Sequence, residues 1–350
     1  MKIVVLGGGL TVERDVSLSS SAGICAALRE QGHQAVMVDL FLGVEEWIED
    51  INAYFAAEHP FTASVREQAP TLAEIRAMRR DLSASHIGPQ VIRLCQAADI
   101  VFLGLHGADG EDGKIQAAFD LLGIKYTGSD TRSSVLAMDK SLAKLIFQAN
   151  GIRVPEGILL EKGAPLPADI PFPCVVKPCS GGSSVGTSLV EQPEALPAAL
   201  DAVFACDDRV LIERYIRGRE FCVALLGDTA LPVIELDYDS AIFDYFVKYQ
   251  AGACREICPA PIEEELAARL QETALRAYHA LGLSVYSRVD FIVTEEGEIY
   301  TLEVNTLPGM TPNSIIPREA AVAGISYPLL CERIVELSLQ RCAEAQAWKN

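Results

Sequence analysis

The chain opens with a short apolar run, Lys2 to Leu6, that halts at Gly7-Gly8-Gly9. Helical spacing follows from about Ser17 to Gln31, and a second apolar run spans Ala35 to Leu40. A strand, a helix and a strand in that order form an opening of the nucleotide-fold kind. From about Gly43 to Ala98 the chain is polar and helical in tendency, and Asp99 to Leu105 restores a buried strand. An N-terminal α/β domain is therefore expected over 1–130.

Helical spacing returns over Ser133 to Asn150 and ends at Gly151, with Pro155 beyond it. Next come a strand, Cys174 to Lys177, a Gly/Ser stretch, Ser180 to Gly186, a helix near Glu194 to Ala205 and a strand, Arg209 to Arg214. These predict a small central α+β domain over 131–216. Apolar strands then fold about Gly227-Asp228, a polar segment runs over 239–253, and a long amphipathic helix covers Ile262 to Leu281. A hairpin and a helix, about Ser326 to Ala343, complete a C-terminal α+β domain over 217–350.

Of 350 residues 50% are hydrophobic and 22% charged, which excludes a disordered or low-complexity chain. Acidic residues outnumber basic ones 48 to 29, a net charge of -19, so nucleic acid and anionic membrane surfaces are disfavoured partners. An anionic ligand would need a local cluster of cations. No apolar run approaches the ~18 residues of a membrane span, and the first run breaks too early for a signal peptide. A cytoplasmic protein is expected. The 10 cysteines are scattered and read as reduced structural thiols.

The most informative geometry lies in Arg288 to Asn305, where two alternating runs flank Glu296-Gly297. A two-residue turn there sets Asp290 opposite Glu303, with Asn305 on the same face as Glu303. Two carboxylates so close repel, and a hard divalent cation that also binds phosphate is the natural counter-charge. The alternative is a solvated hairpin face with one accidental carboxylate pair. Lys177 ends a buried strand directly before the Gly/Ser stretch, so a cation and close-approaching backbone N–H groups share one place. The stretch does not match a Walker loop. Lys140 and Lys248 could add charge. Glu13 stands in the loop after the first strand, the usual ligand edge of such sheets, although helix capping would also explain it. His106 to Gly113 is a polar loop after a strand.

Taken in order, these motifs resemble the D-alanine–D-alanine ligase family of the ATP-grasp superfamily over nearly the whole chain. The resemblance is carried by Gly8 to Ser17, His106 to Gly113, Met138-Asp139-Lys140, Val176-Lys177-Pro178 with Gly182 to Gly186, Glu213 with Gly218 to Phe221, Lys248-Tyr249, Arg288 to Asp290 and Glu303 to Thr311. It implies ATP between the second and third domains and the joining of two D-alanines through a D-alanyl phosphate, with release of ADP and phosphate, for peptidoglycan precursors. Lys140 and Lys177 would contact phosphates, Gly182, Ser183 and Ser184 would fold over them, and Lys248 would reach the γ-phosphate. Glu213, Arg214 and Ile216 would meet adenine and Glu220 the ribose. Asp290, Glu303 and Asn305 would hold two Mg2+ or Mn2+ ions. Glu13 would take the ammonium of the first D-alanine and Ser314 the carboxylate of the second. Arg288 and the Gly309 N–H would face the oxyanion, and Glu13, Ser183 and Tyr249 would hydrogen-bond across a lid over 239–253. A homodimer is implied too. Gly181 stands where many relatives are acidic, and Ala108 where Arg is frequent.

Tyr249 argues for dipeptide formation over D-lactate use, and Ile315 beside Ser314 disfavours D-serine. D-alanine–D-lactate or D-alanine–D-serine ligation is the nearest alternative. A nucleotide-binding sensor without turnover and a dehydrogenase resting on Gly7-Gly8-Gly9 are more distant ones.

Overall fold

The computed structural model describes residues 1–61, 65–66, 69–81, 83–182, 186–238, 240 and 254–347. Three sheets organise them. The first is parallel, ordered β2-β1-β3, from β1 (Lys2–Gly7), β2 (Gln34–Asp39) and β3 (Ile100–Leu103), with α1 (Arg14–Glu30) crossing between β1 and β2. Its apolar residues are almost all buried, Ile3 to Leu6, Ala35, Val36, Val38 and Ile100 to Leu103, as a parallel sheet covered on both faces requires. Between β2 and β3 lie α2 (Ile51–Ala56), α3 (Leu72–Met78) and α4 (Val91–Ala97). This excursion closes on itself: Val44 N–H donates to the Pro89 carbonyl at 3.0 Å and Gly88 N–H to that of Leu40 at 2.8 Å. Gly43 adopts φ +64°, and any Cβ there would strike the Pro89 backbone, so only glycine closes the loop. Phe55 and Ile75 anchor it with no exposed surface.

After α5 (Lys114–Leu122), the single helix expected over Ser133 to Asn150 is two, α6 (Thr131–Met138) and α7 (Lys140–Ala149). Asp139 separates them with ψ 99°, and its carboxylate accepts from the Ser141 and Leu142 N–H groups, capping α7. The break sets Lys140 at the start of α7, and the Lys140 N–H donates to the Cys179 carbonyl at 2.9 Å. The second sheet is antiparallel, ordered β4-β7-β5-β6, from β4 (Gly157–Glu161), β5 (Cys174–Pro178), β6 (Ser188–Val190) and β7 (Arg209–Arg214), with α8 (Leu196–Phe204) on it.

The third sheet is also antiparallel, ordered β11-β10-β8-β12-β13 with β9 beside β8. Its strands are β8 (Arg219–Leu226), β9 (Thr229–Ala230), β10 (Ile234–Tyr238), β11 (Cys254–Ile257), β12 (Tyr286–Val293) and β13 (Ile299–Asn305), and α9 (Glu264–Ala280) covers one face. Alternate residues Phe221, Val223, Val289 and Phe291 meet Leu270, Ala274 and Ala277 of α9 and Phe147 of α7 in one core. The other face, bearing Glu220, Asp290 and Ile292, is left for the site. α10 (Ile315–Val322) and α11 (Tyr327–Ala347) follow. Leu330, Cys331, Ile334 and Val335 of α11 join the β1–β3 strands in the largest core. All 10 cysteines are free, and only Cys206 is exposed. Among the described residues no helix is long and apolar enough to cross a membrane.

Candidate active site

A cavity of about 290 Å³ opens between the second and third sheets, near the lower bound for small-molecule sites. The second sheet contributes Lys177 and Glu213. β5 and β7 pair Val175 with Glu213, so Lys177, two residues on, shares a face with Glu213. The Glu213 carboxylate lies 2.7 Å from Lys177 Nζ and 2.6 Å from Nζ of Lys144 on α7, and all three residues are buried. Burial alone would raise the Glu213 pKa, but the two ammoniums outweigh it and hold it below the ordinary carboxylate value. Burial, with Lys177 nearby, pushes Lys144 down to about 8. Lys177 suffers the same burial, yet Glu213 and Glu303 overcome it and raise its pKa. Lys177 thus stays cationic at the cavity wall. Arg214 and Ile216 line the cavity, as does Glu220, whose carboxylate accepts from the Tyr238 hydroxyl.

The third sheet brings Asp290 opposite Glu303, with Arg288 opposite Asn305. The expected facing pair is present, but the turn that was to set it is not. Thr294 N–H donates to the Glu298 carbonyl and Gly297 N–H to that of Thr294, both at 3.0 Å, so the loop has three residues, 295–297, and Gly297 takes φ +78°. That shifts the register by one, and a bulge between Asp290 and Phe291 shifts it back. The bulge lets consecutive residues, Leu302 and Glu303, both line the cavity, which regular alternation forbids.

The charges of this face are already matched within the protein. Arg288 grips Asp290 with two bonds of 2.7 Å, Asn305 Nδ2 reaches Asp290 at 3.1 Å, and Lys140 Nζ lies 3.2 Å from Glu303. The carboxylate pair therefore does not by itself require a metal ion. The donor set still fits one. Two carboxylates and an amide stand together beside lysines suited to phosphate, an oxygen-donor set for a hard cation.

Glu13 stands at the N-cap position of α1, yet its side chain makes no capping bond, so capping does not explain it. It lies between two glycines of other loops. A Cβ on Gly107 would come within 2.5 Å of Glu13 Oε2, and one on Gly182 within 2.6 Å. A small cleft groups Glu111, Lys140, Gly182, Glu303 and Asn305. Buried Glu111 accepts from the N–H groups of Gly107, Thr306 and Leu307, so it fastens the His106 loop to the chain after β13. Burial and then Glu13 raise its pKa. His106 Nδ1 donates to the Leu307 carbonyl at 2.9 Å, and its Nε2 lies 3.2 Å from Ser20 Oγ. The Ser314 hydroxyl accepts from Thr311 N–H at 3.1 Å, and a Cβ on Gly309 would lie 3.0 Å from it. Ile315, expected beside the acceptor, instead packs with Cys222, Ile234 and Leu236, so it gives no argument about D-serine.

The excursion between β2 and β3 reaches the first turn of α1 and the His106 loop. Arg66 Nε bonds Asp15 at 2.7 Å, and His86 Nδ1 lies 2.9 Å from Asp109, which is buried with φ +68°. Neither contact was read from sequence, since both join residues far apart in the chain. Lys144 was also missed, although its place one helical turn after Lys140 puts both on one face. Ser183, Ser184, Lys248, Tyr249 and nearly all of the 239–253 segment lie outside the described residues.

Comparison with known proteins agrees along the whole chain. Residues 2–129 match the family model for the D-ala D-ala ligase N-terminus and residues 159–336 that for the D-ala D-ala ligase C-terminus. A D-alanine–D-alanine ligase of Pediococcus pentosaceus is 42% identical over 96% of this chain and 97% of its own. One of Geobacter sulfurreducens is 40% identical over 95% of this chain and 93% of its own. Among solved structures, the Bacillus anthracis D-alanine–D-alanine ligase complexed with ATP superposes with TM-score 0.76 at 31% identity, covering 99% of both chains. The VanG D-Ala:D-Ser ligase of Enterococcus faecalis superposes with TM-score 0.74 at 30% identity, covering 96% of this chain and 98% of that one.

Proposed function

The chain belongs to the D-alanine–D-alanine ligase family, and from that premise we propose that it joins two D-alanines to D-alanyl-D-alanine, consuming ATP and releasing ADP and phosphate. The observation that carries the reading is that one cavity is lined by Lys177 and Glu213 of the buried Lys177–Glu213–Lys144 cluster, by Asp290, which Arg288 grips, and by the Lys140–Glu303 pair. On a chain of net charge -19, this is the local cation cluster that a triphosphate needs. Adenine lies against Glu213, Arg214 and Ile216, the ribose at Glu220, and the phosphates at Lys140 and Lys177. Asp290, Glu303 and Asn305 would hold Mg2+ or Mn2+, which would offset charge on the transferring phosphoryl group.

A carboxylate is a poor electrophile, so the first D-alanine, its ammonium on Glu13, takes the γ-phosphoryl group and becomes an acyl phosphate. The amine of the second D-alanine, its carboxylate at Ser314, attacks that carbonyl, and phosphate leaves as the amide forms. Arg288 and the Gly309 N–H stabilise the oxyanion that the attack creates and that collapses as phosphate leaves. The domain limits 1–130, 131–216 and 217–350, the homodimer and the cytoplasmic setting remain part of this reading. The test is ADP release with D-alanine, L-alanine, D-serine or D-lactate as sole added substrate or as acceptor with D-alanine. D-alanine alone should support turnover and L-alanine should not. Preference for D-lactate at neutral pH, or nucleotide binding without turnover, would overturn the acceptor or the reaction respectively.

A further inference from the structure

The third sheet has a gap in its ladder. β8 pairs with β10 as far as Cys222 and with β9 from Leu225, and between them the Ala224 N–H has no strand partner. The Ala224 carbonyl takes Leu231 N–H at 2.8 Å, and the Ala224 N–H, pointing the same way, donates to Glu319 Oε2 at 2.8 Å. Glu319 belongs to α10 and has no exposed surface. Its other oxygen, Oε1, is buried with no hydrogen-bond partner among the described residues. Nothing in the reaction as described uses this carboxyl group.

Two catalytic groups flank it. Across the β8–β12 ladder, Ala224 stands opposite Arg288. Along α10, Ser314 lies five residues before Glu319, at the N-cap. We propose that Glu319 is a positioning residue for the acceptor subsite, tying the helix that presents Ser314 to the strand pair that presents Arg288. This rests on the function proposed above. The bond fixes the distance between the group that takes the acceptor carboxylate and the group that faces the oxyanion, and so fixes where the attacking amine stands. Burial drives the Glu319 pKa well up, against the pull of the Ala224 N–H and Arg288, with Asp290 adding to the rise. An uncharged acid can remain there without a counter-ion, and Arg288 is left to Asp290.

The test is steady-state ADP release with the two D-alanine KM values resolved, on Glu319→Gln, Glu319→Met and Glu319→Ala. Glu319→Gln keeps an oxygen acceptor and should stay within about twofold of the wild type. Glu319→Met keeps the volume without the acceptor, and with Glu319→Ala it should raise the KM of the second D-alanine about tenfold, or about 1.4 kcal/mol. The KM values for ATP and the first D-alanine should not move. Adding Glu319→Met to Ser314→Ala should add little to the effect of Ser314→Ala, because both act on one contact. Equal changes in all three KM values, a fall in thermal stability with unchanged kinetics, or a Gln variant as impaired as Met would each overturn the proposal. Absence of D-alanine-dependent ADP release from the wild type would instead overturn the function on which it rests.

Discussion

Glu213 is an anion between two ammoniums in a place water scarcely reaches, so the three charges stand or fall together. Glu213→Gln leaves Lys144 and Lys177 facing each other without a counter-charge. Removing one partner from a buried pair costs about 3–5 kcal/mol, and denaturant unfolding should show a loss of that order together with weaker ATP binding. The pH dependence has a definite sign. Because the folded pKa of Glu213 is lowered, its stabilisation is complete above the ordinary value of 4.5 and fades as the pH falls through the lowered one. The Gln variant should lack that part of the acid transition, and an unchanged acid limb would refute the assignment. At this scale the sequence was informative where strand alternation governs, as for Asp290, Glu303 and Asn305. It was silent on Glu319, whose partner is a backbone N–H 95 residues away.

At the scale of the element, two departures from regularity made one expectation right for the wrong reason. The loop 295–297 is a residue longer than the turn expected at Glu296-Gly297, and the bulge beside Asp290 takes up the extra residue. Turn propensity could place Gly297 at a left-handed position but could not locate a bulge, which depends on packing against β8 and the cavity. Asp139 is a similar case: helical spacing runs through it, while its side chain favours capping α7 and bonding Arg209 at 2.7 Å. The excursion between β2 and β3, polar and unassigned in sequence, braces the start of α1 through Arg66 and the His106 loop through His86. Both side chains are about half exposed, and such pairs contribute about 0–1 kcal/mol each. The double variant Arg66→Gln, His86→Ala should therefore raise the KM of the first D-alanine about two- to tenfold and leave the KM of ATP alone. An unchanged D-alanine KM would reduce the excursion to a surface feature.

For the whole molecule, the cavity belongs to no single sheet: β5 and β7 supply one wall, β8, β10, β12 and β13 the other. A ligand bridging them stabilises the native state by mass action. At a hundredfold excess over its Kd, ADP with Mg2+ should add about 2.7 kcal/mol, read as a rise in the unfolding midpoint. Removing the metal with EDTA, or replacing Glu303 by Gln, should abolish most of that rise and leave the ligand-free midpoint in place, since Glu303 is partly exposed and outside the cores. A full rise in either case would sink the metal assignment. The sequence alone determined the opening strand, helix and strand, the fold class and the long amphipathic helix before β12, because hydrophobic periodicity and glycine positions are local properties of the chain. It also carried the family resemblance, because the motifs are contiguous. Only the tertiary structure decided which cations neutralise which carboxylates, that α11 completes the core of β1 to β3, and that Glu319 fills the ladder gap at Ala224. Those contacts join residues whose separation along the chain bears no relation to their distance in space, so no local pattern records them.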